Sequence, residues 1–293
     1  MNAYDVMIIG PATRDINIDY TGVEDRRVGG AVSFCAASAA ATGAKVFAAV
    51  KIHPDDADIM DEIPLSDCDK IILPAVRTTL MRNEYFTQDR ERRQSNCLAQ
   101  SDTVQLSEIP NHSCKIYHLA GLLYGDFSET LIRGLADRGK LSADAQGFLR
   151  HNVDGNMEFF DWKDKEKLLP FFSFLKVDAL EAEILTGEAD RVAAAKKLHA
   201  MGAHEILLSH NKEMLIFDGN AVYTCPVKAR NLRGRTGRGD TFTGAYLAMR
   251  QMGDDIETAL KYATACVSLK MESVGVFRGT REDVEAYYAE FYH

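Results

Sequence analysis

Apolar positions along this chain fall into short runs, and the spacing between them changes in a repeating order. Residues 4–9 form a short apolar run closed by Gly10-Pro11, which predicts a buried strand followed by a loop. Residues 16–20, "INIDY", alternate apolar and polar, as a half-exposed strand does. Gly29-Gly30 then opens the alanine-rich "AVSFCAASAAAT", a helix by composition, stopped by Gly43. "KVFAAV" at 45–50 is the next buried strand. Strand, helix, strand in this order predicts a mostly parallel sheet covered by helices.

Between 76 and 104 the rhythm breaks. The stretches "TTLMRNEYFT" and "RRQSNCLA" alternate over short distances, which predicts exposed antiparallel strands rather than a crossover helix. The βα order resumes with strands at 115–121 and 171–178, a helix near 127–138 and helices across 179–201. "EILLSH", "EMLIFDG" and "AVYTCPV" follow as three short strands. Helices are expected near 241–252 and 256–272, with a last one from Thr280. The expectation is one α/β domain over 1–293 with a small β appendage, without repeats or long linkers.

Composition changes this picture little. The 293 residues suffice for a large core, and 34 basic against 43 acidic residues give a net charge of −9. That balance argues against nucleic acid or a membrane surface as partner, and leaves a small anionic ligand open. Six scattered cysteines without a C-x-x-C pair read as reduced thiols, and the first residues enter a strand without a secretory leader. No apolar run approaches the roughly 18–20 residues of a membrane span. A cytoplasmic protein is expected.

The chemistry concentrates in "RGRTGRGDTFTG" at 233–244, where Phe242, Ala245, Tyr246 and Met249 start a helical pattern right after Asp240. Taken alone, Asp240 is more often a helix cap than a catalytic residue, and the preceding glycines are ordinary loop residues. The functional reading makes Gly237, Arg238 and Gly239 an anion cradle at a positive helix end, with Asp240 as general base. The run is neither a Walker A loop, having no following Lys-Ser/Thr, nor a dinucleotide fingerprint, being far from the first βα turn.

Read together with six other segments, the chain resembles the ribokinase-like (PfkB-type) carbohydrate kinases along nearly its whole length. "RTGRGDTFTGAYLA" is similar to the second half of the family's late signature, and "IIGPATRDINID" to its first strand, with Asp15 at the acid that holds sugar hydroxyls. "VGGAVSFCAASAAATGAKV" resembles the Gly-Gly helix, and "KIHPDD" the loop after the next strand. "KVDALEAEILTGE" resembles the N-x-x-E segment, "EILLSHNKEMLIFDG" the turn by the nucleotide phosphates, and "ALKYATACVSLKMESVGV" the helix beside adenine.

The resemblance implies a three-layer α/β/α ribokinase-like fold with a β lid formed by roughly 14–28 and 76–104. It implies an ATP-dependent kinase acting on a hydroxyl of a small sugar or polyol, with a nucleoside or inositol kinase as the alternative. A catalytically weakened regulatory relative is the remaining reading. The implied cofactors are ATP and Mg²⁺, with a monovalent cation as a further candidate; a homodimer through the lid is the implied assembly. Asp240 would be the base and Gly237, Arg238 and Gly239 the anion hole. Asp15, Gly29, Gly30 and Phe34 would meet the acceptor, joined by Arg82 and Asn83 from the lid. Asp178, Ser209, Asn211, Thr264 and Ala265 would meet the nucleotide, and Glu181 the metal.

Four positions depart from the family pattern. Gly234 stands where an acid opens the late signature, Asp178 replaces the asparagine of N-x-x-E, and Phe34 replaces another asparagine. Ser209-His210-Asn211 replaces a T-x-G turn, in which Asn211 is expected to take over the left-handed glycine conformation. The short segment between Asp15 and Gly29 predicts a reduced lid, and Phe34 a less polar acceptor than ribose.

Overall fold

The structure, a computed structural model, describes residues 3–88 and 92–292; residues 89–91 of the expected lid segment lie outside this range. In chain order the strands are β1 (Ala3–Pro11), β2 (Thr13–Ile18), β3 (Glu24–Gly29), β4 (Val46–Ile52), β5 (Lys70–Pro74), β6 (Thr79–Tyr85), β7 (Arg93–Ala99), β8 (Ser113–Leu119), β9 (Lys140–Asp144), β10 (Arg150–Val153), β11 (Asn156–Phe159), β12 (Phe172–Asp178), β13 (Glu205–Ser209), β14 (Glu213–Phe217) and β15 (Val222–Pro226). The helices are α1 (Ala31–Ala40), α2 (Glu129–Ala136), α3 (Gln146–Leu149), α4 (Lys165–Leu168), α5 (Ala179–Thr186), α6 (Arg191–Ala200), α7 (Arg238–Met252), α8 (Ile256–Lys270) and α9 (Arg281–Phe291).

One sheet has the strand order β15-β14-β13-β12-β9-β8-β1-β4-β5. From β13 to β5 its neighbours pair parallel, and β14 and β15 add an antiparallel edge. Alternate residues of β1 go to opposite cores. Val6 and Ile8 join the cluster built by α1, α7, α8 and α9, while Met7 and Ile9 join the cluster with α2, α5 and α6. Both faces are therefore covered, which is why the strands read as continuous apolar runs. The result is three layers, α/β/α. Among the described residues no helix is long and apolar enough to cross a membrane.

The second sheet has the order β10-β11-β7-β6-β2-β3. It uses the two segments expected from sequence and a third, the β10–β11 hairpin, so it is larger than the short link from Asp15 to Gly29 suggests. The hairpin carries a recognisable signal, Asp154-Gly155, with φ of 51° at Asp154 and 89° at Gly155. It was obscured by the βα rhythm on either side. β1 runs into β2 through Ala12 alone, so the second sheet grows directly from the carboxyl end of the first.

Helix α7 lies hard against α1. A Cβ at Gly244 would sit 2.2 Å from the Cys35 carbonyl oxygen and 2.4 Å from Ser38 Oγ. This close approach sets the first turn of α7 beside the Gly29-Gly30 corner. Gly244→Ala improves helix propensity, yet it should cost about 1–3 kcal/mol, because the obstructing atom is backbone that cannot retreat. Urea unfolding measures this; a variant as stable as the parent would contradict the contact.

Candidate active site

Ligands of open α/β sheets gather at the carboxyl ends of the parallel strands. Here β9 ends at Asp144, β12 at Lys176 and Asp178, and β13 at Ser209. The amino end of α7 points into the same region. Its cap, Gly237, has φ of 77°, and no side chain caps the helix. Thr241 N donates to Gly237 O at 2.9 Å, so the amides before it have no intrahelical acceptor and remain open to an anion. A Cβ at Gly237 would fall 2.2 Å from the Phe34 ring, and one at Gly239 would fall 3.0 Å from Lys176 Cε. At Gly237 space as well as conformation demands glycine, whereas at Gly239 the end of the lysine would have to give by a few tenths of an ångström.

Asp240 sits in the first turn of α7. Burial pushes its carboxyl up to about 6; Asp144 adds to the rise, and Lys176, Lys270 and Arg150 oppose it. Behind it, Cys35 Sγ donates to the Asp240 carbonyl at 3.2 Å and lies 3.5 Å from His118 Nε2.

Lys176 and Asp144 are among the site residues that escaped the sequence reading. The Lys176 ammonium is 3.0 Å from Asp144 Oδ2 and 3.6 Å from Glu181 Oε2, with all three side chains almost wholly buried. Burial pushes Lys176 down, but Asp144, Glu181, Asp178 and Asp240 outweigh it and hold the group charged. Burial also pushes Glu181 up to about 8, against the pull of Lys176. The available signal was a lysine and an acid closing otherwise apolar strand runs, "FLKVD" and "LSAD".

Glu181 and Asp178 form a reciprocal capping box at the start of α5. Asp178 N donates to Glu181 Oε2 at 2.7 Å, and Glu181 N donates to Asp178 Oδ1 at 2.8 Å. Among the described residues no group of three or more His, Cys, Asp or Glu could hold a metal ion. The donor set fits Mg²⁺, which keeps most of its waters and binds through one or two carboxylates and substrate phosphates.

Cations surround the amino end of α7. Arg238 Nε and Arg191 Nη1 are buried without a hydrogen-bond partner, while Arg191 Nη2 pairs with Glu213 Oε1 at 2.6 Å. Burial lowers the His210 pKa, and the charges of Arg191 and Arg238 push it further down. Ser209 is buried at the end of β13, and Asn211 is exposed. Asn211 does not take the left-handed conformation expected for it; among the described residues only Asp154 does so outside glycine. His210 closes the turn instead, its N donating to Glu213 O at 3.1 Å and its Nδ1 accepting from Lys212 N at 3.4 Å.

The second sheet supplies the facing wall. Asp15 Oδ1 accepts from Thr13 Oγ1 at 2.6 Å, and a Cβ at Gly29 would meet Asp15 Oδ2 at 2.4 Å. Burial raises the Asp15 pKa, against the Thr13 hydrogen bond and the charges of Arg93 and Arg150. Asn17 pairs with Asn83 across β2 and β6; Asn83 Nδ2 donates to Asn17 Oδ1 at 3.2 Å, and Ser95 Oγ donates to Asn83 Oδ1 at 2.7 Å. Arg82, one residue away on a pleated strand, falls on the opposite face and pairs with Glu84 at 2.5 Å. The positive charge of Arg150, not singled out in the sequence, opposes the rise in pKa of both Asp15 and Asp240.

Two sequence expectations meet a different environment. Phe34 lies beneath Gly237 and Lys270, as support for the cradle. Thr264 and Ala265 are fully buried in the core, with Thr264 Oγ1 bonded to Leu260 O at 2.7 Å, and present no surface to a base. Gly30, with φ of 101°, begins α1 against Ala12, where a Cβ would be 2.7 Å from Ala12 Cα.

A family model described as pfkB family carbohydrate kinase matches residues 84–282. A pyrophosphate-dependent kinase in the ribokinase family, solved with a pyrophosphate analog and myo-inositol, is 33% identical, covering 96% of this chain and 99% of that one, with a TM-score of 0.85. A pyrophosphate-dependent myo-inositol-1 kinase converted into a myo-inositol-3 kinase by Asn-to-Leu and Ser-to-Leu substitutions is 31% identical over 98% of this chain and 100% of that one, TM-score 0.85. A cytidine kinase of Thermococcus kodakarensis is 32% identical over 84 residues, spanning 28% of this chain and 30% of the relative's length.

Replacing the ammonium by an isosteric apolar group, Lys176→Met, strands two buried carboxylates. The expected cost is about 3–5 kcal/mol. It should be larger at pH 8 than at pH 5, because Glu181, whose folded pKa is already raised to about 8 with the ammonium present, loses that partner where it would have to ionise. Unfolding curves at both pH values check this, and an equal loss at each would refute the pairing.

Proposed function

Because the chain belongs to the pfkB family of carbohydrate kinases, we propose that it phosphorylates a hydroxyl of a cyclitol or closely related polyol. The observation that carries this is the uncapped amino end of α7, with the buried Asp240 carboxyl, its pKa raised to about 6, in the first turn of that helix. Asp15 and the Asn17–Asn83–Ser95 set would hold acceptor hydroxyls. Asp240 would take the proton of the reacting hydroxyl as its oxygen attacks phosphorus and the bridging P–O bond of the donor breaks. The amides of Gly237, Arg238 and Gly239 would stabilise charge on the transferring group, aided by Lys176. The second sheet would act as a lid that excludes water. Mg²⁺, held by Asp178 and Glu181 through water, would offset charge on the donor oxygens.

For the donor we favour inorganic pyrophosphate, with ATP, the donor implied by the sequence resemblance, as the second reading. Arg191 and Arg238 keep buried nitrogens unpartnered beside the cradle, which suits a compact, highly charged donor. Thr264 and Ala265, where adenine contacts were expected, are buried in the core. The similar solved kinases named above support the same choice. The family pattern allows ATP, and the intact Asp240 argues for turnover over a purely regulatory role. Cytoplasmic residence and a lid-mediated homodimer belong to the same proposal, the latter supported by the exposed Leu98 on the outer face of β7.

The test incubates the protein and Mg²⁺ with pyrophosphate or ATP across inositols, sugars and nucleosides. Turnover of a cyclitol with pyrophosphate is expected; ATP as sole donor would overturn the donor choice, and no turnover would overturn the reading. Asp240→Asn should lower kcat by orders of magnitude. In the wild type, kcat/KM should rise with pH through an apparent pKa near 6, as the carboxylate deprotonates. Asn83→Leu should alter which cyclitol hydroxyl is phosphorylated, read by NMR of the product.

A further inference from the structure

Lys270, the last residue of α8, is fully buried, yet among the described residues no carboxylate pairs with it directly. Its Nζ donates to Gly234 O at 2.8 Å and to Thr236 O, both backbone carbonyls of the loop that leads into the α7 cradle. It also stands over the face of Phe34, 5.0 Å from the ring centroid, and that ring supports Gly237. The other buried lysines behave differently: Lys51 pairs with Glu108 at 2.7 Å and Lys176 with Asp144 at 3.0 Å. Carbonyl oxygens turned onto one desolvated positive charge are the arrangement that holds potassium in a channel filter. Here the charge is covalently attached.

We propose that the Lys270 ammonium is a built-in monovalent cation that positions residues 234–236, and through them the cradle amides, so that no potassium ion from solution is needed.

The same geometry explains Gly234. Its N donates to Met271 O at 2.8 Å, and a Cβ there would fall 1.6 Å from Ser273 O. The loop is pressed onto the end of α8, which leaves no room for an acidic side chain and brings the carbonyl to the ammonium. Lys270 is a positioning residue: it acts on the reacting groups through the loop. The charged and titratable groups acting on it are Asp240 and Arg238 from α7 and Cys266 from its own helix. Burial lowers its pKa to about 8; Asp240 and Cys266 oppose the fall, and Arg238 adds to it. Protonated Lys270 is needed, so loop order should weaken as pH rises past about 8.

The inference rests on reading the α7 cradle as the phosphoryl-binding element, so its test has one arm that needs no turnover. Hydrogen exchange is followed by mass spectrometry in peptides covering 233–240 of wild type and Lys270→Ala, with tetramethylammonium as the only monovalent cation. The variant should lose protection there and regain part of it with ammonium or potassium chloride, but not with more tetramethylammonium. Unchanged exchange, or a loss that no small cation restores, overturns the proposal. In the kinase assay, wild type should show the same kcat in tetramethylammonium and in potassium. Lys270→Ala should lose roughly tenfold or more in kcat, approaching the hundredfold typical of a lost anion-hole donor. Small cations should recover part of that loss, with the acceptor KM little changed. Several-fold activation of the wild type by potassium overturns the proposal even where the variant does not fold. Absence of turnover with every donor overturns the functional reading alone, and the exchange arm still decides the role of Lys270.

Discussion

The close seating of α7 on α1 governs the geometry of everything at the carboxyl end of the sheet. Gly244 lets α7 lie against the Cys35 carbonyl, and from that contact the helix runs back to an uncapped first turn beside Gly29-Gly30. An exposed helix start attracts anions through its free amides and dipole. At this site the fold also concentrates charge beneath the helix start: Lys176 held by Asp144 and Glu181, and Asp240 destabilised as an anion by burial and Asp144. A carboxylate whose pKa is raised to about 6 is a stronger base than a free one and still ionised at neutral pH, so it is suited to accept a proton, which is the demand a hydroxyl nucleophile makes.

The layers, the parallel sheet and the α7 cradle were legible because they depend on local signals: apolar runs, an alanine-rich helix and glycines before Asp240. The β10–β11 hairpin was hidden although Asp154-Gly155 marks it, since β11 joins the sheet through β7, far away in sequence. Lys176 and Asp144 were missed for a related reason. Each is one charged residue at the end of an apolar run, and only the side-by-side packing of β9 and β12 makes them a pair. Arg82 and Asn83 were grouped by sequence adjacency, and the pleat separates them. Phe34 and Gly234 looked like losses from a family pattern. In three dimensions they are the floor of the cradle and the close contact that brings a carbonyl to Lys270.

These substitutions form one consistent set. Where an acid would open the loop there is a glycine, and a lysine from α8 supplies the positive charge inside it. Beside it, Arg238 keeps a buried nitrogen without a hydrogen-bond partner among the described residues. On the proposed reading, the changes shift the donor side toward fixed positive charge, while the acceptor side keeps Asp15 beside the Asn17–Asn83–Ser95 hydrogen-bond set. A compact polyanionic donor and a hydroxyl-rich ring satisfy both halves without any change to the base.

The most direct measurement is a crystal structure of the protein with Mg²⁺, a non-hydrolysable pyrophosphate analog and myo-inositol. The account predicts one phosphoryl group at the amides of Gly237, Arg238 and Gly239, contacts from Arg238 and Arg191, and an inositol hydroxyl hydrogen-bonded to Asp240 with the ring on Asp15. An analog bound away from the α7 start, or an inositol with no hydroxyl near Asp240, would contradict it.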